Sequence, residues 1–464
     1  MGRAGVLIVL VNALAGVGLA SLGIALPALG AALGTSPARV LWLVDAFLVA
    51  TVCATPLTPF LLERFGARRV MLGGIAGTCV ASAAAAATPS LGPLLGLAFV
   101  QGLCVAPLLP ATQALVVARF PERHRAVGMA LWGGGSAAGT LLGALAGGWL
   151  CLHVGWPAIF ALAPALALVA LPLVARAVPA EPSRAVPVDW FGLAAFGGGI
   201  LALNLFLTIG DDVDWHHAPA LFLLPLAAAV GLGAFLRHAR RTPRPIVDLA
   251  PLANHDLATM VVLCFGIGAF STAFFQTAML GSVVGFDSGF LGMRGACAGA
   301  ALLLGLAAAG RMLGVTRPLA VFAAGLGLLL VGKYGFTHYA PGLSPLGAIW
   351  PAAVSSVGFG VVSAVLATLA FRSLSPSQVP AAAGLFVLGQ QLGYALGVAA
   401  LDAFLQVRTE QLLAGGHPGA FATELAFLEL FWVELAASVL LPVLVLLRRA
   451  PALAPLSAAV APPA

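Results

Sequence analysis

Charge is what this sequence has least of. Only 8% of its 464 residues are Asp, Glu, Lys or Arg, while 61% are hydrophobic. Soluble domains carry about 25% charged residues, so a polar coat over a globule is excluded and lipid must solvate most of the chain. Lysine is nearly absent, with Lys333 the single example, and there are only three tyrosines against 26 phenylalanines and eight tryptophans. The six cysteines stand singly within or beside apolar runs, with no C-x-x-C pair, and read as small buried hydrophobes. The eight histidines form no H-E-x-x-H or comparable group, so no metal site and no cofactor is expected. The net charge is +6, but the basic residues fall in short groups between apolar stretches. A nucleic-acid binder would collect them on one face.

What is present is a succession of apolar runs. About 20 apolar residues cross a bilayer core, and runs bounded by charges, prolines and turn residues predict fourteen spans. The first seven cover approximately 5–30, 40–62, 70–88, 91–118, 126–150, 156–176 and 188–209. The second seven cover approximately 218–236, 258–281, 290–310, 318–337, 346–371, 381–405 and 427–447. Arg3 ahead of the first run has the look of a secretory leader. That run continues to about Leu29 and many like it follow, which reads as a retained first helix.

Basic residues concentrate in cytoplasmic loops. With the N-terminus inside, that side receives Arg3, Arg64, Arg68, Arg69, Arg119, Arg123, Arg125, Arg176 and Arg184. It also receives Arg237, Arg240, Arg241, Arg244, Arg311, Arg317, Arg372, Arg448 and Arg449, leaving Arg39, Arg294, Lys333 and Arg408 outside. Dropping any span scrambles this alternation, so fourteen spans and two cytoplasmic termini are expected together. The longest polar connections, about 177–188 and 237–257, flank spans seven and eight. The expected organisation is a six-helix bundle over 1–180, an inserted pair over 181–240, and a second six-helix bundle with a cytoplasmic tail over 241–464.

The loop after span two reads Pro59-Phe60-Leu61-Leu62-Glu63-Arg64-Phe65-Gly66-Ala67-Arg68-Arg69. An acid among arginines at a helix end can lock neighbouring helix ends through charge-assisted bonds in one conformational state. This string resembles the signature loop of the major facilitator superfamily, and more of the chain resembles that superfamily's fourteen-span drug/proton antiporter branch. Ile24-Ala25-Leu26-Pro27 closes span one, Trp42 and Phe47 open span two, and Gln101-Gly102 lies in span four. Phe120-Pro121-Glu122-Arg123 follows, then Gly139, Gly143, Gly147 and Gly148 in span five and Trp156, Phe160 and Pro164 in span six. Asp214-Trp215, Arg244-Pro245-Ile246-Val247-Asp248-Leu249 and Gln391-Leu392-Gly393 with Gly397 complete the series. The resemblance implies alternating access between two bundles and proton-driven export of hydrophobic or amphiphilic small molecules. It implies a multi-pass protein of the bacterial cytoplasmic (inner) membrane, with lipid, substrate and protons as partners and a periplasmic adaptor as a further one. Several family positions are changed: Gly18 replaces an acid, Ala98 an arginine, Ala144 a proline, Pro59 a glycine, Glu63 an aspartate and Gln390 an arginine. These changes favour, as an alternative, a narrow-specificity metabolite or lipid exporter with altered or absent proton coupling. A non-transporting membrane sensor or scaffold is the second alternative, and a membrane enzyme lacks a convergent nucleophile or metal set.

Gly135, Gly139, Gly143 and Gly147 repeat every four residues, placing them on one helix face, where they suit either a tight helix seam or a rocking contact. Charges in lipid are costly and so mark function; Asp45, Asp402, Glu429 and Glu434 fall inside predicted spans. A carboxyl in a low-dielectric cavity can load and release protons. Asp45 is the leading proton site, Glu434 the second and Asp402 the third, with hydration at interfacial depth or pairing to Arg39 or Arg408 as the structural reading of Asp45 and Asp402. The resemblance makes Asn12, Gln101, Gln113 and Gln276 substrate-cavity candidates. Gly327 to Lys333 imitates a phosphate loop, but Tyr334 follows the lysine and the stretch lies inside a predicted span.

Overall fold

The computed structural model describes residues 2–120, 125–183, 186–209, 219–271, 273–313, 315–374 and 378–447. The expectations at Pro121, Glu122, Arg123, Arg184, Asp214, Trp215, Arg448 and Arg449 lie outside them. Every regular element among the described residues is helical. In chain order they are α1 (Gly2–Leu33), α2 (Pro37–Ala54), α3 (Thr58–Ala86), α4 (Leu91–Val105), α5 (Leu108–Arg119), α6 (Arg125–His153), α7 (Leu162–Ala177) and α8 (Trp190–Ile209). There follow α9 (Leu223–Ala239), α10 (His255–Ala269), α11 (Ala273–Ser282), α12 (Ser288–Met312), α13 (Pro318–Phe336), α14 (Pro345–Phe371), α15 (Val379–Ala414) and α16 (Gly419–Leu447).

The starts of these helices are written in local chemistry. Ser36, Asn254, Asp287 and Ser344 accept hydrogen bonds from the backbone N–H three residues on, and prolines occupy the first turn of α2, α13 and α14. Eleven segments among the described residues are long and apolar enough to cross a membrane. One of them, Arg39–Ala86, holds 48 residues, roughly 72 Å at about 1.5 Å per residue. That is over twice a hydrocarbon core. It is divided at Gly66, whose φ of 77° and ψ of 156° break the helix. Two spans are also broken near their middles: α4 gives way to α5 at Ala106–Pro107, and α10 to α11 across Phe270–Ser271.

The packing divides into local cores. One joins Leu7, Val11 and Leu14 of α1 to Ile75 of α3, Leu108 of α5 and Ala170 of α7. A second joins Met260 of α10, Ala309 of α12, Phe322 of α13, Val365 of α14 and Phe386 of α15. A larger cluster between them includes Phe47, Phe196, Phe275, Phe336 and Phe431. Helix α8 pairs with α9 and also lies against α2 and α15.

Candidate functional site

The four glycines of α6 lie against α1. Cβ atoms at Gly135, Gly143 and Gly147 would lie 2.8 Å, 2.9 Å and 2.9 Å from the Cα atoms of Val9, Val17 and Ser21, and one at Gly139 would collide with the Ala13 backbone. The seam is therefore as tight as two helices allow, four-residue step against four-residue step. Near the same end of the molecule as the C-terminus of α6, α6 meets α12, and a Cβ at Gly148 would lie 2.5 Å from the Ser288 carbonyl oxygen. Pro27 of α1 closes on Gly281 of α11 nearby.

Below these contacts lies a cavity of about 550 Å³, in the range of sites for small organic molecules. Leu19, Ile24, Phe47 and Leu48 form one wall; Phe270, Phe274, Leu329 and Phe336 form the other. Three charged side chains line this largely apolar chamber: Arg294 on α12, Lys333 on α13 and Glu434 on α16.

Lys333 and Glu434 are an ion pair, Nζ to Oε1 2.7 Å, with side chains only 6% and 1% exposed. Nζ donates its other protons to the Phe270 carbonyl at 2.6 Å and to Ser438 Oγ at 2.8 Å. The Phe270 carbonyl stands where α10 ends. A helix end leaves carbonyls unsatisfied and favours a cation, so the break between α10 and α11 creates the acceptor that the lysine occupies. Arg294 is 4% exposed. Its Nε donates to the Ala348 carbonyl at 3.0 Å, and Nη2 to Gln276 Oε1 at 2.5 Å and to the Tyr339 hydroxyl at 3.3 Å.

Arg294 and Lys333, which the basic-residue count assigned to the outer side, lie within α12 and α13 and are buried. Each is buried because other helices supply its acceptors, and the charge count along the sequence cannot see those helices. Lys333, the residue that completes the phosphate-loop imitation, sits in the continuous helix α13.

The sequence-selected polar residues divide sharply. Gln276 lines the cavity. Asn12, Gln101 and Gln113 do not, and for the first two the reason is that their amides tie helices together. Asn12 donates to the Trp132 carbonyl and accepts from Thr112 Oγ1 at 2.6 Å, while Gln101 donates to Ser82 Oγ. Gln113 is half-buried outside the chamber. Trp132, Gln390, Gln391 and Tyr394 line it instead, residues whose direction depends on helix rotation.

Asp45 is 1% exposed on α2, behind the cavity wall, beside Thr208 of α8. Among the described residues neither Asp45 oxygen, nor Thr208 Oγ1, nor Asn204 Nδ2, nor Trp42 Nε1 has a hydrogen-bonding partner. Cys53 Sγ reaches the Gly197 carbonyl at 3.5 Å, setting the α2–α8 register. Asn204 and Thr208, seven and eleven residues past Gly197, return to the same face of α8. Asp402 on α15 is fully buried, and Gln406 donates to its Oδ2 at 3.2 Å. Arg408 pairs with Glu429, Nη2 to Oε1 2.9 Å, rather than with Asp402.

At the far end, Gly66 is buried against Glu181, leaving no room for a side chain, and Ser183 donates to the Arg64 carbonyl at 2.7 Å. The Arg64 guanidinium stacks over Phe65, 5.3 Å from the ring centre. Glu63, Arg64 and Arg69 are exposed, and no ion pair of Glu63, Arg64, Arg68 or Arg69 forms among the described residues. Outside the spans, Asp189 accepts from the Gly192 and Ile246 N–H groups and contacts His238 at 2.8 Å. Burial alone would raise its pKa, but those hydrogen bonds and the histidine hold the carboxyl below its ordinary range.

The model of a family described as the Major Facilitator Superfamily matches residues 8–398. The multidrug export protein EmrB of Escherichia coli K12 is 23% identical over 390 residues, covering 81% of this chain and 74% of that protein. The fatty acid resistance protein FarB of Neisseria gonorrhoeae is 25% identical over 374 residues, covering 78% and 72%. Among solved structures, the peptide-transporter-family protein PepTSo superposes with a TM-score of 0.66 at 17% identity, over 97% of this chain and 99% of that one. The xylose transporter XylE of Escherichia coli does so at 0.64 and 12%, over 97% of each chain.

Proposed function

The chain belongs to the major facilitator superfamily and is thus a multi-pass membrane transporter and not an enzyme; from that premise we propose that it exports hydrophobic or amphiphilic small molecules from a bacterial cell across the cytoplasmic membrane, driven by protons. The observation that carries this reading is the cavity itself: a largely apolar chamber of about 550 Å³ between the helix sets, with a few polar groups on its walls. The relatives named for multidrug export and fatty acid resistance support the direction and the substrate class.

The topology we propose has fourteen spans and both ends of the helical body in the cytoplasm. Its support is that Arg39–Ala86 counts twice, and that α9 and α16 add to the remaining apolar segments. Bundles over 1–180 and 241–464, with the pair over 181–240 between them, accord with the two separate local cores and with the pairing of α8 and α9. In this orientation the close α6–α12 and α1–α11 contacts seal the outer side. The unlocked Glu63, Arg64, Gly66, Arg68 and Arg69 loop then belongs to an inward-facing state, and the Gly135, Gly139, Gly143 and Gly147 seam keeps α1 and α6 moving as one body.

Asp45 is the proposed proton site. Thr55 Oγ1 meets Gln391 Oε1 at 3.0 Å; from there Asp45 lies ten residues back along α2, and Asp402 eleven residues on along α15, on the face that carries Gln391. With α2 and α15 antiparallel, the two buried carboxyls come level, about 15 Å from that contact. Charge on a buried carboxyl is costly in an apolar setting, so proton uptake at Asp45 is tied to how α2, α8 and α15 meet. Glu434, held by Lys333, is the second site. The test is transport into inverted membrane vesicles with an imposed proton gradient. Asp45→Asn is expected to abolish gradient-driven uptake while leaving substrate binding; retention of that uptake would remove Asp45 from the coupling mechanism.

A further inference from the structure

Arg294 is the unbalanced charge of the cavity. Lys333 and Glu434 neutralise each other at 2.7 Å, and every proton of the lysine ammonium is taken. Arg294 has only neutral acceptors, namely a backbone carbonyl, an amide oxygen and a phenol hydroxyl. No carboxylate pairs with it among the described residues. Its Nη1 makes no hydrogen bond there, although the side chain is 96% buried and lines the chamber.

A guanidinium taken out of water without a counter-charge is costly. It is also a side chain that binds carboxylates and phosphates through charge-assisted N–H donors. Arg294 stands six residues into α12, about 9 Å along the helix. Its fixed acceptors hold Nε and Nη2, which leaves the Nη1 edge for a ligand. Phe270, Phe274, Leu329 and Phe336 line the chamber with it, and they would take a hydrocarbon tail.

We propose that this transporter's substrates are anionic amphiphiles, with the acidic headgroup bound at Arg294 and the tail lying along the phenylalanine wall. The inference rests on the transport reading above and narrows its substrate class. It also fits the energetics: an anion leaving a cell whose interior is negative moves down the membrane potential. Proton uptake at Asp45 in exchange for anion exit adds to the same driving force.

The test uses the full chain in lipid nanodiscs and three eleven-carbon probes bearing a terminal bromine: 11-bromoundecanoate, 11-bromoundecanol and 11-bromoundecyl-trimethylammonium. Trp132 lines the cavity, so binding is read as bromine quenching that disappears in Trp132→Phe. The carboxylate is expected to bind about ten- to a hundredfold tighter than the alcohol, the worth of one charge-assisted contact, and the cation weakest. Arg294→Gln is expected to bring the carboxylate down to the alcohol's affinity without changing the alcohol, and Arg294→Lys to restore part of the difference. If Arg294→Gln does not fold, the comparison of three probes on the unaltered chain still decides. Equal binding of the three probes, or preference for the cation, overturns the inference and leaves the transport reading standing. Absence of Trp132-dependent quenching by any probe removes the cavity as a substrate site, and the transport reading falls with it.

Discussion

Removing either partner of the Lys333–Glu434 pair should destabilise the protein far more than removing both. At 2.7 Å the gross attraction is about 6 kcal/mol for an effective dielectric near 20. Desolvation of two ions consumes most of it, and breaking a buried pair from one side costs about 3–5 kcal/mol because a charge is left without its partner. Glu434→Gln leaves the ammonium with the Phe270 carbonyl and Ser438 hydroxyl alone, and Lys333→Met leaves a carboxylate beside Ser438 in an apolar wall. The double variant Lys333→Met/Glu434→Gln leaves neither charge, so its loss should be smaller than either single loss. Unfolding in detergent, by heat or by titration with a denaturing detergent, measures all four proteins. Single losses that add to within about 0.5 kcal/mol in the double variant would refute the pairing, and with it the register of α13 against α16.

Four further outcomes follow from the same geometry. Gly139→Ala drives a methyl into the Ala13 backbone and should cost about 1–3 kcal/mol by overpacking, whereas Gly133→Ala, with open space around it, should be nearly silent; detergent unfolding compares them. Asp189→Ala removes the acceptor for the Gly192 and Ile246 N–H groups and should cost about 1–3 kcal/mol. Because the folded Asp189 pKa lies below the ordinary value, its contribution is complete above the unfolded pKa near 4. It fades as pH falls through the lower folded value, so the gap between wild type and Asp189→Asn in a pH series should close only on the acid side. Glu429→Gln breaks a pair whose members are about one-third exposed and should leave stability nearly unchanged with transport intact.

What could be read from the chain and what could not divide along a physical line. Span boundaries are local: Ser344 and Pro345 announce α14, and the run from Leu346 ends at Phe371 as expected. The glycine step on α6 is local too, and its partner residues on α1 repeat at the same interval. The site is not local. Lys333 and Glu434 are 101 positions apart, and Arg294 reaches Tyr339 and Ala348, contacts set by helix rotation and register that no periodicity encodes. The same holds for Asn12 and Gln101, whose polarity fitted a cavity but serves helix joints. A count of basic residues along the sequence likewise gives no sign that Arg294 and Lys333 are buried, with partner helices in place of water. The breaks at Pro107 and Phe270 were also invisible to an apolar-run reading, yet the second creates the acceptor for Lys333.

The central claim, proton-driven export through this cavity, is tested most directly in inverted membrane vesicles holding an acid interior, with 11-bromoundecanoate outside. Addition of the amphiphile should release protons from the lumen while the amphiphile accumulates inside, and Asp45→Asn should abolish both together. Accumulation that proceeds unchanged when the gradient is collapsed, or proton release that persists in Asp45→Asn, would contradict it.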